Sequence, residues 1–260
     1  MHQDNPLTVY LRDFIGNVNE HYKWSFNEVA AAKYLDQPLP AEATWFDKTL
    51  ALKARLKERL AQSDSRQEHL QIASYFISDW GGVGTNKNLE RIVDWTRAQA
   101  AEGRQAFDQV ELKGVSSWSK YLSLLCDWAP IYDSRVAFAI NAINYMHGQL
   151  DCFYPMPEGR SPRLSLIDLE TLFLLARLDL ISDDDVRHRQ LSARVQKKFH
   201  IPEKQAYSRY VALLEEVAIQ LGLGADGHHQ VEMLLFSMAP ERIFSDLLGH
   251  LRKTQAVTPA

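Results

Sequence analysis

Apolar residues recur at helical spacing along almost the entire chain, and no run alternates apolar and polar residues as a half-buried strand would. Val9, Leu11, Phe14, Ile15 and Val18 predict an amphipathic first helix of irregular spacing. Trp45, Leu50, Leu52, Leu56 and Leu60 predict a longer one, whose opposite side carries Lys48, Lys53, Arg55, Lys57 and Arg59 as a solvated basic stripe. Leu70, Ile72, Ala73, Phe76 and Ile77 predict a third helix that stops at Trp80-Gly81-Gly82, where paired glycines suit a C-cap and a turn. Leu89, Ile92, Val93 and Trp95 predict another, and a further helix is expected from Asp133 to about His147. Gly148 to Pro162, with three prolines after its first glycine, reads as an irregular excursion. Four helices are expected beyond it: Leu166–Arg177, Asp183–Phe199, Pro202–Leu221 and His229–Leu248. No internal repeat is visible. The fold class is therefore all-α, with a region 1–150 and a C-terminal region 151–260, either packed together or forming one continuous domain.

Composition changes this picture little. The 260 residues are 46% hydrophobic and 24% charged, enough for a substantial core. No apolar run reaches the roughly 18 residues of a membrane span, and the start of the chain lacks the pattern of a signal peptide. Two cysteines, Cys126 and Cys152, define no disulfide framework, so reduced thiols in a cytoplasm are expected. The net charge of −4 argues against a protein that binds nucleic acid by bulk charge, while leaving room for a local basic face.

Candidate chemistry is sparse. Gly81-Gly82-Val83-Gly84-Thr85-Asn86-Lys87 lacks the spacing of a phosphate loop and reads better as a helix stop. His228-His229 has no further ligands at metal spacing and suits a surface loop. Ser116, Ser117 and Ser119 have no histidine partner in view. Glu232 lies in an apolar run, Val231 to Phe236, without an evident partner. Arg187, Arg189, Arg194, Lys197, Lys198 and Lys204 form a locally basic stretch, expected to be a solvated face.

One segment is more specific. Phe107 to Lys120 reads as helix, tight hairpin and second helix, with Leu112-Lys113-Gly114-Val115 at the turn. It is followed by Ile131-Tyr132-Asp133-Ser134-Arg135-Val136, an aspartate opening a helix. Gly114 suits a positive φ and close backbone approach. Ser116, two residues on, has a hydroxyl that would cap the following helix. A plain helix–helix turn and an ordinary N-cap aspartate explain the same residues. Taken together, however, the segment resembles the core of the helix-hairpin-helix DNA glycosylases, and the chain resembles the 8-oxoguanine DNA glycosylase fold with flanking N- and C-terminal helices.

The resemblance implies duplex DNA as partner, held by Lys113, Gly114, Val115, Ser116, Ser117 and Arg135. Asp133 would stabilise the sugar cation as a damaged or modified base leaves an extruded nucleotide. No cofactor or metal is implied. Family members that also cleave the strand carry a lysine four residues after the hairpin glycine; here that position is Trp118. Lys120 falls two residues later, opposite the apolar face of Trp118, Tyr121, Leu122 and Leu125, and is expected to point to solvent or DNA backbone. A water-using excision is thus expected in preference to a lyase. The alternative is a noncatalytic helical module that binds DNA or protein through the same hairpin.

Overall fold

The computed structural model describes residues 4–84, 87–158, 161–183, 198–224 and 226–256. Among them the fold is helical: the sole β pairing is an isolated parallel bridge between Phe153 and His200. Among the described residues no helix is long and apolar enough to cross a membrane.

The expected first helix is broken. Asn5 caps α1 (Pro6–Leu11), and the chain then turns through a 3-10 segment at Ile15–Asn17 into the four-residue α2 (Val18–His21). After α3 (Glu28–Ala32) comes α4 (Trp45–Ala61), capped by Thr44. Its basic stripe is not a solvated face: Lys48 and Lys53 are buried, and Lys57 and Arg59 pair with Asp127 and Glu68. Next, α5 (Arg66–Ser74) runs into a π-helical turn, Tyr75–Trp80, and stops at Gly81 as expected. α6 (Leu89–Glu102) precedes the hairpin region.

That region departs from a helix–turn–helix in one respect: the residues before the turn are not helical. A short 3-10 turn at Arg104–Phe107 leads into turns and irregular chain, and only then does α7 (Val115–Leu125) begin. α8 (Ser134–Met146) starts immediately after Asp133. The excursion from Gly148 is irregular as expected, and α9 (Leu169–Ala176) follows. The expected helix Asp183–Phe199 falls mainly outside the described residues, as do Arg187, Arg189, Arg194 and Lys197. α10 (Glu203–Gln220) matches expectation. The last expected helix begins earlier, as α11 (Gly227–Met238), widens into a π turn around Pro240, and continues as α12 (Phe244–Ala256).

Two apolar clusters form the interior. The larger draws on α1, α8, α10 and α11, so it includes residues from both sides of position 150; the smaller gathers α4, α5 and the π turn. α7 lies between them. It gives Trp118 and Leu122 to the first and Tyr121 and Leu124 to the second. A helix enclosed on several sides has no solvent face, and every residue from Ser117 to Leu124 is buried. Its serines satisfy themselves on backbone: Ser119 Oγ accepts from the Tyr132 N–H at 3.0 Å, and Ser123 Oγ donates to the Lys120 carbonyl at 2.7 Å.

Candidate active site

Enclosure of α7 overturns the expected direction of Lys120. Its side chain is 2% exposed, its Nζ donates to the Ser116 carbonyl at 2.9 Å, and it stands 3.9 Å from Asp133 Oδ2. Room for the lysine stem comes from Gly81: a Cβ there would lie 2.6 Å from Lys120 Cε and 2.7 Å from the Ile77 carbonyl oxygen. The glycine read as a helix stop is therefore also the wall against which Lys120 lies.

Asp133 is 8% exposed and uses its two oxygens differently. Oδ1 accepts from the backbone N–H groups of Arg135 (2.9 Å) and Val136 (3.1 Å), capping α8, while Oδ2 faces Lys120. The cap fixes the carboxylate's orientation. Burial lowers the pKa of Lys120; Asp133 and Glu232 oppose that shift and Arg135 adds to it. Desolvation thus favours the free, nucleophilic amine.

Trp118 is a core residue, packed against Trp95, Phe107 and Tyr207. Arg135 is half-buried between Trp24 and Phe236, with its guanidinium carbon 4.9 and 4.7 Å from the two ring centres. Gly114 has φ +70° and ψ +16° and occupies the N-cap position of α7, with open space where a side chain would extend. Ser116 does not cap the helix; it lies inside the first turn, which has no side-chain cap.

Lys113, Gly114, Val115, Ser116 and Ser117 line a cleft of about 1080 Å³ together with Met156 and His200. A second lobe of about 500 Å³ shares Pro155, Met156, Pro157 and His200 with it and reaches Ser134, the neighbour of Asp133. The fold thus brings the hairpin, Lys120 and Asp133 into one neighbourhood.

Two charged residues that the sequence did not assign complete it. Glu232, on α11, is 3% exposed; its carboxylate accepts from the Ile131 N–H, while Oε2 is buried without a hydrogen-bond partner. Burial pushes its pKa up to about 7 against the pull of Lys53, with Asp133 adding to the rise and the Ile131 N–H and Lys120 opposing it. Lys53, from α4, is driven down by burial. No protein family, curated protein or solved structure matches this chain, so the reading of the site rests on its own geometry.

His228 and His229 are not in a surface loop. Both are buried in the first turn of α11, with Nε2 atoms 3.0 and 2.7 Å from the Asp127 carbonyl oxygen. Burial, then Lys53, His228 and Lys57, lower the pKa of His229 to about 2, against a hydrogen bond to Asp127 that raises it. The unfolded chain takes up this proton near pH 6.5 and the folded chain does not. The stability contribution is therefore complete above that pH and declines as pH falls toward 2. Between pH 7 and 5 the wild type should lose about 2 kcal/mol more than His229→Gln, as read by urea unfolding.

Proposed function

We propose that the protein is a DNA N-glycosylase that removes a damaged or modified base, with Lys120 as nucleophile and Asp133 as its electrostatic partner. The observation that carries the reading is the buried Lys120–Asp133 pair, 3.9 Å apart, with the Lys120 amine on the carbonyl of Ser116, a residue that lines the hairpin cleft. Burial makes the Lys120 amine easier to deprotonate than an exposed lysine, and an oriented carboxylate next to it suits a sugar that becomes cationic as its base leaves.

In this mechanism the Lys120 amine attacks C1′ of an extruded nucleotide, reached once Nζ leaves the Ser116 carbonyl. The C1′–N bond to the base breaks, and the base departs with its electron pair and takes up a proton. The amine's proton goes to the departing base; O4′ then leaves C1′ with its electron pair and takes a proton from solvent, giving an open sugar held as a protonated Schiff base between Nζ and C1′. Asp133 stabilises the charge that develops on the sugar. Lys120 thereby takes the role that Trp118, in the core, cannot fill.

The hairpin holds the strand. The N-terminus of an eleven-residue helix and an unhindered Gly114 backbone suit one DNA phosphate, with Lys113 exposed beside them. Gly114→Val is strained at φ +70° and obstructs that approach. It should weaken binding to a duplex with one abasic site by about tenfold or more. Replacing the exposed Lys253 on α12 with alanine should leave affinity within about twofold. Titrations at several salt concentrations read both, and affinity should fall as salt rises. Equal effects of the two substitutions would remove the hairpin from the DNA interface.

A further inference from the structure

Building on the glycosylase reading, we propose that Glu232 is a positioning residue for Lys120: its buried carboxyl group controls whether the amine carries a proton. Four charged side chains from four parts of the chain are enclosed in the interior: Lys53 of α4, Lys120 of α7, Asp133 at the cap of α8 and Glu232 of α11, none more than 8% exposed. With little water to screen them, the protonation of each depends on the charge of the others.

The two carboxyl groups are held differently. Asp133 takes two backbone N–H groups on Oδ1 and turns Oδ2 toward Lys120. Glu232 takes one, from Ile131, two residues before Asp133, and its Oε2 is buried with no hydrogen-bond partner. An enclosed anionic oxygen without a donor is costly, so Glu232 is poised to take up a proton. Lys53 and Lys120 favour its ionised form, and Asp133 favours the neutral one. Tyr22, beyond α2, and Tyr207 and Tyr210 of α10 also lie in its field, but burial drives all three phenols up and they stay neutral. Lys120 in turn is held charged by Asp133 and Glu232 and opposed by Arg135. Burial pushes Glu232 up to about 7, so its charge changes near neutral pH. Ionised, it keeps the proton on Lys120; neutral, it gives up that hold, and desolvation favours the free amine.

Cyanoborohydride trapping on an abasic-site duplex, followed from about pH 5 to 9, tests this. Glu232→Gln keeps an acceptor for the Ile131 N–H and removes the charge. Its profile should lie about one pH unit to the acid side of the wild type's, so that on the rising limb above about pH 7 it traps up to about tenfold faster. Below about pH 6, where Glu232 of the wild type is itself neutral, the two profiles should converge. A damaged fold slows trapping and cannot produce that gain. If Glu232→Gln does not fold, Glu232→Gln combined with Lys53→Met removes both charges together and should show the same displacement. Coincident profiles, or slower trapping at every pH, would overturn the role of Glu232 and leave the glycosylase reading in place. If the wild type traps at no pH, the glycosylase reading fails and this inference with it.

Discussion

Lys120→Met should form no borohydride-stable adduct with an abasic-site duplex, a loss of at least about a thousandfold against wild type, while still binding that duplex within about threefold. The substitution keeps the length of a side chain packed against Gly81 and removes only the amine. Removing one partner of a buried ion pair costs about 3–5 kcal/mol, so trapping and binding are compared on variant protein shown to be folded by circular dichroism. Strand cleavage should vanish with the adduct, since both need the Schiff base. Persistent trapping by folded Lys120→Met would move the nucleophile elsewhere, with the exposed Lys113 the nearest candidate in sequence. Loss of binding along with trapping would point to a structural lysine instead.

Asp133→Asn should separate two steps that Lys120→Met abolishes together. Asparagine can accept the Arg135 and Val136 N–H groups, so the cap on α8 and the fold survive. The charge does not. Base release from a duplex carrying a sensitive modified base should fall by about a hundredfold or more, because the cation formed on the sugar loses its counter-charge. Adduct formation with a pre-formed abasic site should persist, as no base has to leave. Measuring base release and trapping separately on a panel of duplexes, each with one modified base, reads the difference. Undiminished base release by folded Asp133→Asn would remove Asp133 from the chemistry.

The helical architecture was legible because period-3.6 spacing and punctuation agree over most elements: Gly81 stops the α5 region, Asp133 caps α8, and prolines mark the excursion after Gly148. What failed was the assumption that each helix has one buried face. α7 is packed on several sides, so the position opposite Trp118 and Leu122 meets Gly81 and the π turn instead of solvent, and Lys120 is enclosed. The same error hid Lys53. It shares a helical row with Phe46, Thr49, Leu56 and Leu60, all buried, so its spacing placed it on the core side even though its charge suggested the surface. Glu232 sat in an apolar run, which in retrospect signals a buried carboxylate; its partners, from α4, α7 and α8, lie far away in sequence and could not be read from spacing. Breaks such as that at Gly16 and Asn17, and the π turns at Tyr75–Trp80 and Ala239–Ile243, depend on tertiary packing that local pattern does not encode.

The most direct test of the central claim is to map the attachment point of the adduct. Wild-type protein is incubated with an abasic-site duplex and borohydride, digested, and its peptides are sequenced by mass spectrometry. The Lys120–Asp133 geometry predicts a reduced sugar adduct on Lys120. An adduct on Lys113 or on another surface amine, or no adduct at all, would contradict it.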